Sequence, residues 1–135
     1  MSASLTLAEA NSIVGAAMTK ARELAISVSV AVCDEEGHLI ALNRMDGAFP
    51  DSYRFAVGKA LASAGTGLPS DQIKGIVDHG SAELVHAQGL PIYRVRGGLP
   101  IFKEGQVVGG CGVDGAPAHE QDEECARAAI ADLAG

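Results

Sequence analysis

Apolar residues recur at three- and four-residue steps in some stretches of the chain and alternate with small or polar residues in others, and these two rhythms predict its elements. Leu7, Ala10, Val14, Ala17, Met18 and Ala21 form the inner face of a first helix. Thr6 and Glu9 ahead of that run are the residue pair of a capping box, and Lys20 and Arg22 place cations at the negative end of the helix dipole. Ile26 to Val32 reads as a strand, with Ile26, Val28, Val30 and Val32 on one face and Ser27, Ser29, Ala31 and Cys33 on the other. The second face is small rather than charged, so a helix is expected against it. Asp34-Glu35-Glu36-Gly37 turns the chain, and His38 to Arg44 returns as the other strand of a hairpin.

After a turn at Asp46-Gly47 and a stop at Pro50, a helix from about Ser52 to Ala64 carries Tyr53, Ala56, Val57, Ala60, Leu61 and Ala64 as its buried stripe. Gly65-Thr66-Gly67 ends it, and Ser70 opens a short helix bearing Ile73, Ile76 and Val77. The stretch from His79 to Gly89 fits either a short helix or a loop. Pro91 to Arg96, Leu99 to Lys103 and Gln106 to Asp114 read as strands joined by turns at Gly97-Gly98 and Glu104-Gly105. A last helix begins near Pro117, with Ala118, Cys125, Ala126, Ala129, Ile130 and Leu133 inward and Asp122 at the rim of that face. The expected order is α-β-β-α-α-β-β-β-α. This is an α+β fold: a mainly antiparallel five-stranded sheet flanked by helices, with residues 1–135 as a single domain.

Composition narrows the packing and the partners. Apolar residues are 47% of the chain but aromatics only 4%, so the core is built from Ala, Val, Ile and Leu and its helices approach the sheet closely. A formal net charge of −7, from 17 acidic and 10 basic residues, repels phosphate backbones and anionic lipid. Nucleic-acid binding is therefore disfavoured. No window is long and apolar enough to span a bilayer, and the N-terminal stretch lacks a secretory pattern, so a cytoplasmic protein is expected. Cys33, Cys111 and Cys125 are odd in number and widely spaced, which fits buried reduced thiols rather than disulfides or structural zinc.

Several segments, in order, resemble the GlcG/HbpS family: Leu5-Thr6-Leu7-Ala8-Glu9-Ala10, Ala31-Val32-Cys33-Asp34, Arg44-Met45-Asp46-Gly47-Ala48, Lys59-Ala60, Gly97-Gly98-Leu99-Pro100-Ile101 and Glu120-Gln121-Asp122. The resemblance implies a compact domain with an antiparallel sheet between helices, similar to the C-terminal domain of PduO-type corrinoid proteins. It also implies a homo-oligomer, often an octamer, and either haem binding or a part in glycolate or diol catabolism. Many relatives carry an aromatic-Thr pair after the lysine that corresponds to Lys59. In its place this chain has Leu61-Ala62 after Ala60, without the hydroxyl.

The candidate chemistry is spread along the chain. Lys59 lies mid-helix beside a buried stripe, where a cation either snorkels to the edge or holds a buried partner. Asp46 is either an ordinary turn residue or the partner of Lys59 in a proton-transferring pair at a pocket mouth. Arg94 and Arg96, two apart, share one strand face and either hold carboxylates such as haem propionates or form a solvent or inter-subunit face. Among the glycines, Gly110 and Gly112 suit close packing against the Ala-rich last helix, while the Gly97-Gly98 turn suits a pocket. Of His38, His79, His86 and His119, each is a surface residue or an axial haem ligand; His79, His86 and His119 come first as ligands, then Tyr93. Cys111 lies in an apolar strand that argues for burial. Two functions follow. One is a homo-oligomeric domain binding haem or a related tetrapyrrole. The other is a small lyase or isomerase on a carboxylated metabolite, using Asp46 and Lys59 as acid and base.

Overall fold

The computed structural model describes residues 4–73, 83–85 and 91–134. The elements are α1 (Leu7–Glu23), β1 (Ser29–Asp34), β2 (Leu39–Arg44), α2 (Ser52–Thr66), a 3-10 turn (Ser70–Gln72), β3 (Glu83–Val85), β4 (Pro91–Tyr93), β5 (Gly98–Lys103), β6 (Gln106–Asp114) and α3 (His119–Ala134). The capping box of α1 forms as expected: the Glu9 amide donates to Thr6 Oγ1 at 3.1 Å and the Thr6 amide donates to Glu9 Oε1 at 2.9 Å. At its other end the Ala25 amide donates to Arg22 and the Ile26 amide to Ala21, a Schellman closure with Ala25 at φ 59°. That closure uses the residues expected to begin the first strand, so β1 starts at Ser29 rather than Ile26.

The main sheet has strand order β2-β1-β6-β5 with every pair antiparallel. It holds four strands rather than five. The segment expected as a strand from Pro91 to Arg96 stops at Tyr93 and pairs instead with β3 in a separate two-stranded ribbon. The chain then bends, because the Ser70 hydroxyl donates to the Val95 carbonyl and Gly97 takes φ 131°, a conformation open to glycine. The expected short helix after Ser70 is the 3-10 turn, and its Ile76 and Val77 lie outside the described residues.

Helices cover both faces of the sheet. Val28, Val30 and Val32 pack with Ala10, Ile13, Val14, Ala17, Cys125 and Ala129 of α1 and α3. On the opposite face Ala31 and Cys33 meet Ala56, Ala60, Leu61 and Ala64 of α2. The small face of β1 thus receives the helix its sequence called for. The reason α2 sits so close is β6: a methyl group at Gly110 would strike the Ala60 carbonyl, and one at Gly112 would strike the Ala56 carbonyl. With the β3-β4 ribbon against its other side, α2 is buried over more than a stripe, and Gly58, Lys59, Ala62 and Ser63 are enclosed too. Tyr53, expected inside, is 39% exposed.

Candidate functional site

The closeness of α2 to the sheet dictates what becomes of Lys59. The residue is fully buried, and its side chain runs past the ends of β5 and β6 to the start of α3. There Nζ lies 2.8 Å from Asp114 Oδ1 and 3.2 Å from Asp122 Oδ2, and donates to the Val113 carbonyl at 2.9 Å. The ammonium thus donates to the Val113 carbonyl and to Asp122 and lies in ion-pair contact with Asp114, which offsets the cost of taking its charge out of water. Gly97 makes room for this centre, since a side chain there would begin 2.7 Å from Nζ and 2.6 Å from the Val113 oxygen.

Asp122 is the hub. Its Oδ1 accepts the Ala116 amide at 3.0 Å, and its Oδ2 lies 3.3 Å from His119 Nδ1 as well as facing Lys59. The expectation placed Asp122 at the rim of the inner face of the last helix; the structure buries it completely, because the lysine from α2 reaches in to meet it. Burial pushes its carboxyl above the ordinary value of 3.8, the Lys59 charge opposes that rise, and Asp114 adds to it. One ammonium faces two carboxylates, and the half-exposed His119 also reaches Asp122. Asp114, His119 and Asp122 also bring ligand atoms within 4.8 Å of one another, a spacing that suits a metal ion. The Lys59 ammonium already contacts both carboxylates, so a cation placed between them would meet its repulsion.

The other sequence candidates fall around this centre or away from it. Asp46 is exposed and makes no ion pair with a described residue, so it and Lys59 do not converge. Arg94 and Arg96 lie in the bend between β4 and β5 rather than on a strand face. Arg96 Nε and Nη2 both bind Glu123 Oε1 at 3.0 Å, a hydrogen bond that raises the guanidinium further above its ordinary value. Gly97 faces Lys59, while Gly98 packs under the Lys59 carbonyl and donates its amide to Ser70 Oγ at 2.8 Å. His79 and His86 lie outside the described residues. His38 is exposed at the Asp34 turn, and Tyr93 stacks on Phe55 with ring centroids 4.8 Å apart. Cys111 is buried, and desolvation raises its thiol to about 12. Sequence reasoning missed Asp114 and Asp122 as the partners of Lys59. The available signal was a carboxylate at a core-facing position in each of two apolar elements.

A family model described as haem degrading protein HbpS-like matches residues 5–131. The chain belongs to the HbpS-like family. Protein GlcG of Escherichia coli K12 is 36% identical over 107 residues, covering 77% of this chain and 76% of GlcG. A double mutant of HbpS from Streptomyces reticuli superimposes with a TM-score of 0.81 at 32% identity, covering 98% of this chain and 89% of that one. The haem complex of PduOC superimposes with a TM-score of 0.80 at 28% identity, covering 96% and 94%. The α+β fold read from the sequence is thus the HbpS fold, and no described helix is long and apolar enough to cross a membrane.

Proposed function

We propose that this chain binds haem or a related tetrapyrrole, and that it does so as a homo-oligomer. The observation that carries the reading is the likeness, over nearly the whole chain, to a PduOC structure holding haem. The site's own chemistry is compatible. His119 is 52% exposed at its side chain, its Nδ1 is engaged by Asp122, and its Nε2 makes no hydrogen bond with a described residue. A ring held at one nitrogen by a carboxylate and open at the other is the usual form of a metal-ligating histidine. His119 would hold the iron through Nε2, and Arg96, whose side chain is 42% exposed, would meet a propionate only by sharing itself with Glu123. Haem, if held there, would supply an iron centre.

The lyase or isomerase reading finds less support. Lys59 is wholly enclosed and held by Asp114, Asp122 and the Val113 carbonyl, and Asp46 does not meet it. Haemin titration with a Soret readout tests the haem reading. A saturable shift that His119→Ala weakens supports it, and wild-type protein that gives no saturable shift refutes it. Light scattering of the same samples reports the mass of the assembly, and a monomer would sink the oligomeric part.

A further inference from the structure

Lys59, Asp122 and His119 come from α2 and α3, and they form one chain of contacts from the core to the surface. Lys59 is fully buried, Asp122 is fully buried, and His119 is half-exposed. Asp122 Oδ2 faces the ammonium at 3.2 Å and the imidazole Nδ1 at 3.3 Å, while Oδ1 is taken by the Ala116 amide. We propose that Lys59 and Asp122 are positioning residues for the ligand site, fixing His119 as the Nδ1–H tautomer so that the lone pair of Nε2 is left for a ligand. This rests on the haem reading for what the lone pair receives, but not for the tautomer itself.

Donors and acceptors decide the tautomer. A carboxylate accepts and does not donate, so an imidazole nitrogen beside it must carry the proton. A carboxylate buried among apolar neighbours keeps its place only while a cation holds it, and Lys59 is the cation that touches Asp122. The same ammonium binds Asp114 and the Val113 carbonyl at the end of β6, so the hub is tied to the sheet as well as to α3. Carboxylates that orient a ligating histidine in this way change ligand affinity by about 10–100-fold when they are replaced.

The test uses the full-length protein labelled with nitrogen-15, read by long-range proton–nitrogen correlation at a pH where the ring is neutral. In wild-type protein His119 is expected as the Nδ1–H form. Asp122→Ala, which removes the acceptor that faces Nδ1, and Lys59→Met are expected to shift it toward the Nε2–H form and to weaken haemin about 10–100-fold. Ser70→Ala loosens the neighbouring bend without touching Asp122, so it is expected to lower stability and leave the tautomer as it was. If Lys59→Met does not fold, Asp122→Ala alone decides. A His119 that is Nε2–H in wild-type protein, or that stays Nδ1–H in Asp122→Ala, overturns the proposal. Wild-type protein that takes up no haemin overturns the haem reading, and the nitrogen signals then still decide the positioning claim.

Discussion

Replacing Gly112 by Ala tests the claim that the backbone of α2 rests directly on β6. A methyl group at Gly112 would lie 2.6 Å from the Ala60 nitrogen and 3.0 Å from Lys59 Cβ, and it would collide with the Ala56 carbonyl oxygen. Carbon contacts are favourable only at about 3.5–4.0 Å, so α2 must lift by roughly 1 Å. The obstacles are mostly helix backbone, which has no rotamer to give. Such a lift would loosen the contacts of Ala56, Ala60, Leu61 and Ala64 with β1 together, since they share one helix. Overpacking of this kind costs about 1–3 kcal/mol, and a rigid obstacle puts the cost near about 3. Ala in a strand recovers about 0.5–1 kcal/mol relative to Gly, which leaves a net loss of about 2 kcal/mol. With a urea slope of about 1–3 kcal/mol/M, the midpoint should fall by roughly 1 M. Gly65→Ala on the same helix is the control. It meets open space, and Ala there should raise stability by up to about 1 kcal/mol. If Gly112→Ala unfolds at or above the wild-type midpoint, α2 is not seated as described.

Other expectations rest on single features. Ala25→Gly should stabilise the fold by about 0.5–1 kcal/mol in urea melts, because Ala25 holds a left-handed φ of 59° at the end of α1. Ser70→Ala should cost about 1–3 kcal/mol by the same assay, since it strips the Gly98 amide and the Val95 carbonyl of their shared partner. Burial raises the thiols of Cys33 and Cys111 to about 12 and that of Cys125 to about 11. A thiol reagent near neutral pH should therefore label them only as fast as the chain opens, and label all three in urea. For Asp122 the folded value lies above the ordinary 3.8, so the unfolded chain releases its proton first. Its contribution is favourable below that value and is lost as pH rises toward the folded one. Thermal melts from about pH 4 to about pH 7 should show a falling component that Asp122→Asn removes, and an unchanged slope would refute the assignment.

The elements built from local chemistry were legible in the residues. Thr6 and Glu9 cap α1 through bonds that span three positions, and the hairpin of β5 and β6 turns at Glu104-Gly105. The small face of β1 and the glycines of β6 each announced a closely packed helix, but the helix expected against Gly110 and Gly112 was the last one, and it is α2 that they receive. What only the tertiary structure decided was the fate of groups whose partners lie far along the chain. Lys59 and Asp122 are separated by 63 positions, and no spacing rule links a mid-helix lysine to one buried carboxylate rather than another. Asp46, nearer in sequence and in a turn, was the more visible partner, yet it lies in solvent while Asp114 and Asp122 are drawn in by the close approach of α2. The same holds for the fifth strand. The run after Pro91 alternates well enough for a sheet, but the hydroxyl of Ser70, 25 positions away from Val95, bends it out of the ladder. Periodicity encodes which face of an element is buried. The identity of the charge that waits on that face is settled only when the faces meet.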